Sequence, residues 1–211
     1  IPAQTAVTQQ DNPTLERCLH EITATLNSMI TLLQRMPERC DPYIYYHRVR
    51  PFMFGWKDNP AMPDGLIYEG VEAFSGRPQQ FRGETGAQSG VIPAIDAALG
   101  ITHQFDSMRA FLTELRDYMP RQDRHFVTHL EQGPSIRTYI AQQKATAPSL
   151  REAYNAAVEA LQAFRRTHIE YAAMYILKPA QGDKAGEVGT GGTPFTVYLK
   201  KHIRETAAHL L

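Results

Sequence analysis

The segment from Ser149 to Leu177 constrains the fold most. Ser149 with Glu152 three residues on reads as a capping box, in which hydroxyl and carboxylate satisfy the open amides of a helix start. Leu161, Phe164, His168, Ala172 and Tyr175 follow at spacings of three and four and form one stripe. Lys178-Pro179 ends the pattern, since proline cannot continue a helix. Such a helix spans on the order of 40 Å, enough to cross a domain. Ala153, Ala156, Ala157, Ala160, Ala163, Ala172 and Ala173 leave room for close approach by a partner helix or a flat cofactor.

The rest of the chain reads as further helices, so the fold class is all-α. Asn12-Pro13 is an N-cap with proline at the first helical position, and Leu15 to Met36 continue the period up to Pro37. Asp41-Pro42 repeats the signal and opens an aromatic helix, Tyr43 to Phe54, which Pro51 should kink. From Gly55 to Gly90 the periodicity fades, with a short extended piece expected at Leu66–Phe74. An irregular stretch this long inside a domain is usually functional. Helices are expected again at Gln88–Leu99, Asp106–Met119, Arg121–Glu131 and Ser135–Gln142, and from Thr193-Pro194 to Leu211. No repeat or linker divides the 211 residues, so residues 1–211 are read as part of one domain.

Composition excludes some functions. Lys plus Arg and Asp plus Glu balance at 22 each, which gives no electrostatic case for nucleic acid or an anionic membrane as partner. No apolar run reaches the length of a membrane span. Two cysteines, Cys18 and Cys40, without a CxxC pair, suit a cytoplasmic location and argue against a zinc or disulfide framework.

Several residues could carry chemistry. A lone histidine on an apolar helix face, as at His168, is what a haem ligand looks like; the pattern by itself favours a core histidine bonded to a carbonyl. Arg50 stands among Tyr45, Tyr46, Pro51 and Phe52, and shares a face with Tyr46 four residues earlier. A guanidinium there suits bidentate capture of a carboxylate, but the residues alone favour an ordinary salt bridge or cation–π contact. Thr85 and Gly86 precede a helix, where exposed amides can meet a small polar ligand or simply form a loop and N-cap. Gly189 to Thr193 lacks the strand and Gly-Lys-Ser/Thr of a phosphate loop, and reads as a mobile loop over a site or a flexible linker. His125 and His129 are four apart but have no third ligand in view, which favours a solvated face.

Together these pieces resemble the indoleamine 2,3-dioxygenase family. The resemblance rests on Cys40-Asp41-Pro42 through Gly55-Trp56-Lys57, Asn59-Pro60, and Asp64-Gly65-Leu66-Ile67-Tyr68-Glu69-Gly70. Gly86, Gln88, Ser89, Asp96, Leu99-Gly100, Tyr118-Met119-Pro120, Leu150-Arg151-Glu152-Ala153-Tyr154, His168, Tyr175-Ile176-Leu177 and the Gly189–Thr193 loop continue it in order. The resemblance implies the large helical haem domain of that family, with haem b, ferrous in the active form. It implies opening of the indole ring of L-tryptophan at C2–C3 with O2, giving N-formylkynurenine. It makes His168 the iron ligand, Arg50 the binder of the substrate carboxylate, and Tyr45 and Tyr46 the aromatics at the indole. Tyr46 departs from the phenylalanine common there. Thr85 and Gly86 fall beside the substrate, with Thr85 catalytic like Arg50. Thr190 falls in the lid, and Asp96 with Arg165 in a charged pair on the haem's proximal side. Members of the family are longer at the N-terminus, so the chain is expected to be the C-terminal part of the haem domain, completed by a missing N-terminal segment or a second fragment. Related readings are a haem protein that oxygenates another indole, and a haem-binding regulatory relative.

Overall fold

The computed structural model describes residues 1–143, 146–182, 186, 188–192 and 194–211, without the side chains of residues 107 and 108. The described residues are helical, with one isolated antiparallel bridge, Leu66 to Gln79, in place of the extended piece expected at Leu66–Phe74. The helices are α1 (Pro2–Gln9), α2 (Asn12–Gln34), α3 (Pro42–Ile44), α4 (Val91–Leu99), α5 (Ser107–Leu115), α6 (Arg121–Gln132), α7 (Ile136–Gln142), α8 (Pro148–Ala172), α9 (Lys178–Ala180) and α10 (Phe195–Ala207).

The long helix is the axis. Leu150, Tyr154, Ala157, Val158 and Leu161 of α8 are wholly buried with Leu15, Leu19 and Leu26 of α2. Burying each such leucine contributes about 1.5–3 kcal/mol. Ala153, Ala157 and Ala160 belong to this core, so part of the small-residue surface serves helix packing, while Ala172 lines a cavity. The C-terminal half of α8 also packs against α10, where Gln162 donates to the carbonyl of Ile203 at 3.4 Å, while Tyr171 donates to the carbonyl of Gln34 at the end of α2 at 3.2 Å. Tyr154 donates to the carbonyl of Leu99 at 2.7 Å and ties α8 to the end of α4.

Two helix starts differ from expectation. Asp11, not Asn12, caps α2 by accepting from the Thr14 amide at 3.1 Å; Asn12 is taken by Gln143 and Tyr139. No capping box opens α8, because Pro148 lies in its first turn and needs no amide partner, and Ser149 donates to Glu16 at 3.0 Å instead. Asp41, Asp106 and Ser135 do cap their helices. Thr193, expected to cap the last helix, lies outside the described residues.

The aromatic helix is not merely kinked. After α3 it widens into a π-helical turn, Tyr45–Val49, then tightens into a 3-10 turn, Arg50–Met53. Pro51 offers no amide and crowds the carbonyl four residues back, and the wide turn relieves both. A second π-helical turn, Ala173–Leu177, continues α8 and packs against the first, with the Tyr45 and Tyr175 rings edge to face at 5.7 Å. The Tyr175 hydroxyl donates to the carbonyl of Cys40 at 2.8 Å.

The irregular segment is fixed by close backbone crossings. A Cβ on Gly55 would stand 2.1 Å from the Gly83 nitrogen, and one on Gly83 would stand 2.3 Å from the carbonyls of Met53 and Thr190. Arg82 bridges Glu114 at 2.9 Å and Asp58 at 2.8 Å, and Lys57 reaches Glu114 at 2.7 Å. The loop is therefore pinned to α5. Among the described residues, no helix is long and apolar enough to cross a membrane.

Candidate active site

A cavity of about 1340 Å³ lies between the C-terminal half of α8, α4, α5, α10 and the loops at 84–88 and 189–191. That exceeds the roughly 300–1,000 Å³ of an ordinary small-molecule pocket. His168, Ala172, Phe164 and Arg165 bring the α8 stripe to its wall. Tyr45, Thr85, Gly86, Thr190 and Asp96 line it too. The expected site residues therefore converge on one space, except for Arg50 and Tyr46.

His168 is exposed at its surface, yet burial pushes its imidazole below the ordinary histidine value. The two facts agree because the ring faces a wide cavity while protein encloses it elsewhere. The ring is neutral at neutral pH and, among the described residues, makes no hydrogen bond. A core histidine bonded to a carbonyl, the alternative from pattern alone, is not what stands here. A neutral, uncovered imidazole on the wall of a large cavity has the donor chemistry an iron cofactor needs.

Arg165, one turn before His168, is anchored on both sides. It donates to Asp96 at 2.6 Å and to the Thr206 hydroxyl. Both charges are largely buried, so the pair stays ionised only because each matches the other. Asp96 accordingly stays below the usual carboxylate range; burial opposes that, and Arg165 and His103 outweigh it.

Arg50 is 2 % exposed and lies behind the wall. Its guanidinium sits over the rings of Phe54 at 4.6 Å and Tyr46 at 5.2 Å and donates to the carbonyl of Val188. The cation–π reading of Arg50 thus describes this conformation. Any anion that reaches Arg50 competes with the carbonyl of Val188, the residue before the glycine-rich stretch Gly189 to Thr193. Thr190 of the same stretch donates to the carbonyl of Glu84, beside Thr85. Thr85 caps the 3-10 turn Gly86–Gln88 reciprocally with Gln88. Tyr45 lines the cavity beside these loops, and burial raises its phenol above the ordinary value.

Sequence reasoning missed His103, His202 and Glu205. The chain separates His103 from Glu205 by 102 positions, so no local motif marks them. They meet beside Asp96, and the two histidines line the same cavity as His168. His125 and His129 are exposed, as a solvated face requires.

A family model described as indoleamine 2,3-dioxygenase matches residues 1–209. The chain is 35% identical over 219 residues to indoleamine 2,3-dioxygenase 1 of Rattus norvegicus, covering 98% of this chain and 52% of the relative. It is 36% identical over 223 residues to indoleamine 2,3-dioxygenase 2 of Mus musculus, covering 100% and 53%. It is 35% identical over 220 residues to a 6-hydroxytryptophan 2,3-dioxygenase of Fusarium equiseti, covering 95% and 53%. The chain spans about half the length of the curated relatives it matches.

Proposed function

The chain belongs to the indoleamine 2,3-dioxygenase family, and we propose that it is the C-terminal part of a single all-helical domain that binds haem b and opens the indole C2–C3 bond of L-tryptophan with O2. The observation that carries this reading is His168: a neutral imidazole, uncovered, on the wall of a cavity large enough for a macrocycle and a substrate together. Haem, when bound, supplies the iron and the oxygen chemistry, which are the cofactor's own.

The protein's part is placement. His168 would hold the iron through one ring nitrogen, and its lowered proton affinity keeps that lone pair available. Arg165 and Asp96 lock α8 to α4 one turn away and so fix the direction of the ligand. Arg50 would take the substrate carboxylate in a bidentate pair in exchange for contacts it makes here, that with the Val188 carbonyl among them. Tyr45, Thr85 and Gly86 would flank the substrate, and Tyr46 would stack behind Arg50. Thr190, hydrogen-bonded to the Glu84 carbonyl, would hold the glycine-rich loop over them and exclude water. The remainder of the wall would come from the N-terminal half that the relatives possess.

Aerobic incubation of the reduced, haem-loaded full-length protein with L-tryptophan tests the activity. N-formylkynurenine is expected; its absence at normal haem content rejects the reading. Replacement of His168 by alanine is expected to abolish the histidine-ligated haem spectrum, and an unchanged spectrum rejects the assignment. The 35% identity to a 6-hydroxytryptophan 2,3-dioxygenase favours one second reading, a ring-substituted tryptophan as substrate. A higher kcat/KM for 6-hydroxytryptophan than for tryptophan would select it.

A further inference from the structure

The cavity wall formed by α10 carries a second cluster of donor groups. His202 and Glu205 are three apart on one face of α10. His103 reaches them from the loop that follows α4. That loop is reversed by Gly100 at φ 68° and by the Ile101 amide, which donates to the Asp96 carbonyl at 2.8 Å. His103 Nδ1 lies 2.6 Å from Glu205 Oε2, and its ring stacks on that of His202 with centroids 4.1 Å apart. One donor atom from each of His103, His202 and Glu205 lies within 4.8 Å of the other two.

We propose that His103, His202 and Glu205 form a site for a divalent transition-metal ion of the zinc class, separate from His168. Two imidazoles and one carboxylate are a borderline donor set that suits zinc rather than magnesium or calcium. Zinc–ligand bonds of about 2.0–2.2 Å put tetrahedral neighbours roughly 3.4 Å apart. The His103–Glu205 pair has to widen from 2.6 Å towards that spacing, and the widest pair has to close from 4.8 Å at most.

The surroundings complete the argument. His103 Nε2 faces Asp96 Oδ2 at 3.4 Å, so a metal on Nδ1 makes the carboxylate–histidine–metal arrangement that orients metal ligands. Asp96 is largely buried, and its Oδ1 has no hydrogen bond, so acceptor capacity remains beside the cluster. Among the described residues, the His202 ring has no hydrogen-bond partner. The nearby cations are already matched, Arg165 to Asp96 and Lys201 to Asp106 and Glu205.

Calorimetric titration of the full-length protein with Zn2+, with bound iron measured alongside, tests the site. One saturable zinc per chain beyond the iron is expected. Its affinity should fall at least tenfold in His202→Leu and Glu205→Gln, and about 10–100-fold in Asp96→Asn. His168→Ala should leave zinc binding unchanged, so the result stands or falls apart from the haem reading. A wild-type protein without saturable binding overturns the proposal, as does full affinity in a His103→Gln, His202→Leu double variant. Should the variants fail to fold, the wild-type Tm decides. Zinc but not magnesium should raise it, and equal response to both ions also overturns the site.

Discussion

Arg50 is observed as a stacked cation and proposed as the binder of the substrate carboxylate. Buried over Phe54 and Tyr46, it is held as a stacked cation, while its planar face keeps the fork geometry that a carboxylate needs. Lysine would keep the charge and lose the fork. Arg50→Lys should therefore weaken tryptophan binding at least tenfold at unchanged haem content, measured by optical titration; unaltered affinity would remove Arg50 from the substrate site. Gly83 and Gly86 make a sharper pair. A Cβ on Gly83 meets two backbone carbonyls at 2.3 Å, whereas one on Gly86 meets nothing within 4 Å. Gly83→Ala should cost about 1–3 kcal/mol, and Gly86→Ala within about 0.5 kcal/mol, read from urea midpoints. Single residues were unevenly legible in the sequence. The stripe that presents His168 follows from spacing, but whether its ring meets a carbonyl or open space depends on α4, α5 and α10. Gly83 carries no local signal, because its partners lie at Met53 and Thr190.

At the scale of elements, helix starts read well where a short polar side chain does the capping, as at Asp41, Asp106 and Ser135. They read poorly where a neighbour competes for that side chain. Ser149 is drawn to Glu16 on α2, and Asn12 to α7 and the residue after it. Helix α1 leaves little mark in the sequence, because it is short and only weakly amphipathic. The two π-helical turns were also beyond reach: proline announces a disturbance, but its form depends on how Tyr45 and Tyr175 pack. The loop between α3 and α4 depends on α5 through Glu114, which Arg82 and then Lys57 hold at about 2 against an ordinary 4.5. A carboxylate lowered in this way stabilises the folded state fully above about pH 4.5 and loses that contribution as pH falls towards 2. Glu114→Gln should flatten the pH dependence of Tm across that window; a slope equal to wild type would show that the network does not anchor the loop.

At the scale of the molecule, the helix that dominates the sequence also dominates the structure, but only one of its halves borders the cavity. The N-terminal half is sealed against α2 by Leu150, Tyr154, Val158 and Leu161. The C-terminal half, from Phe164 to Ala172, stands on the cavity wall. Backbone amides in the first half should exchange with deuterium only through global unfolding, and those near His168 through smaller, local openings. A cofactor entering the cavity should then slow exchange in the second half far more than in the first. A deuterium-uptake map of α8 with and without haem would record occupancy as a step along a single helix. Uniform slowing from Pro148 to Ala172 would mean instead that the core and the cavity open as one unit.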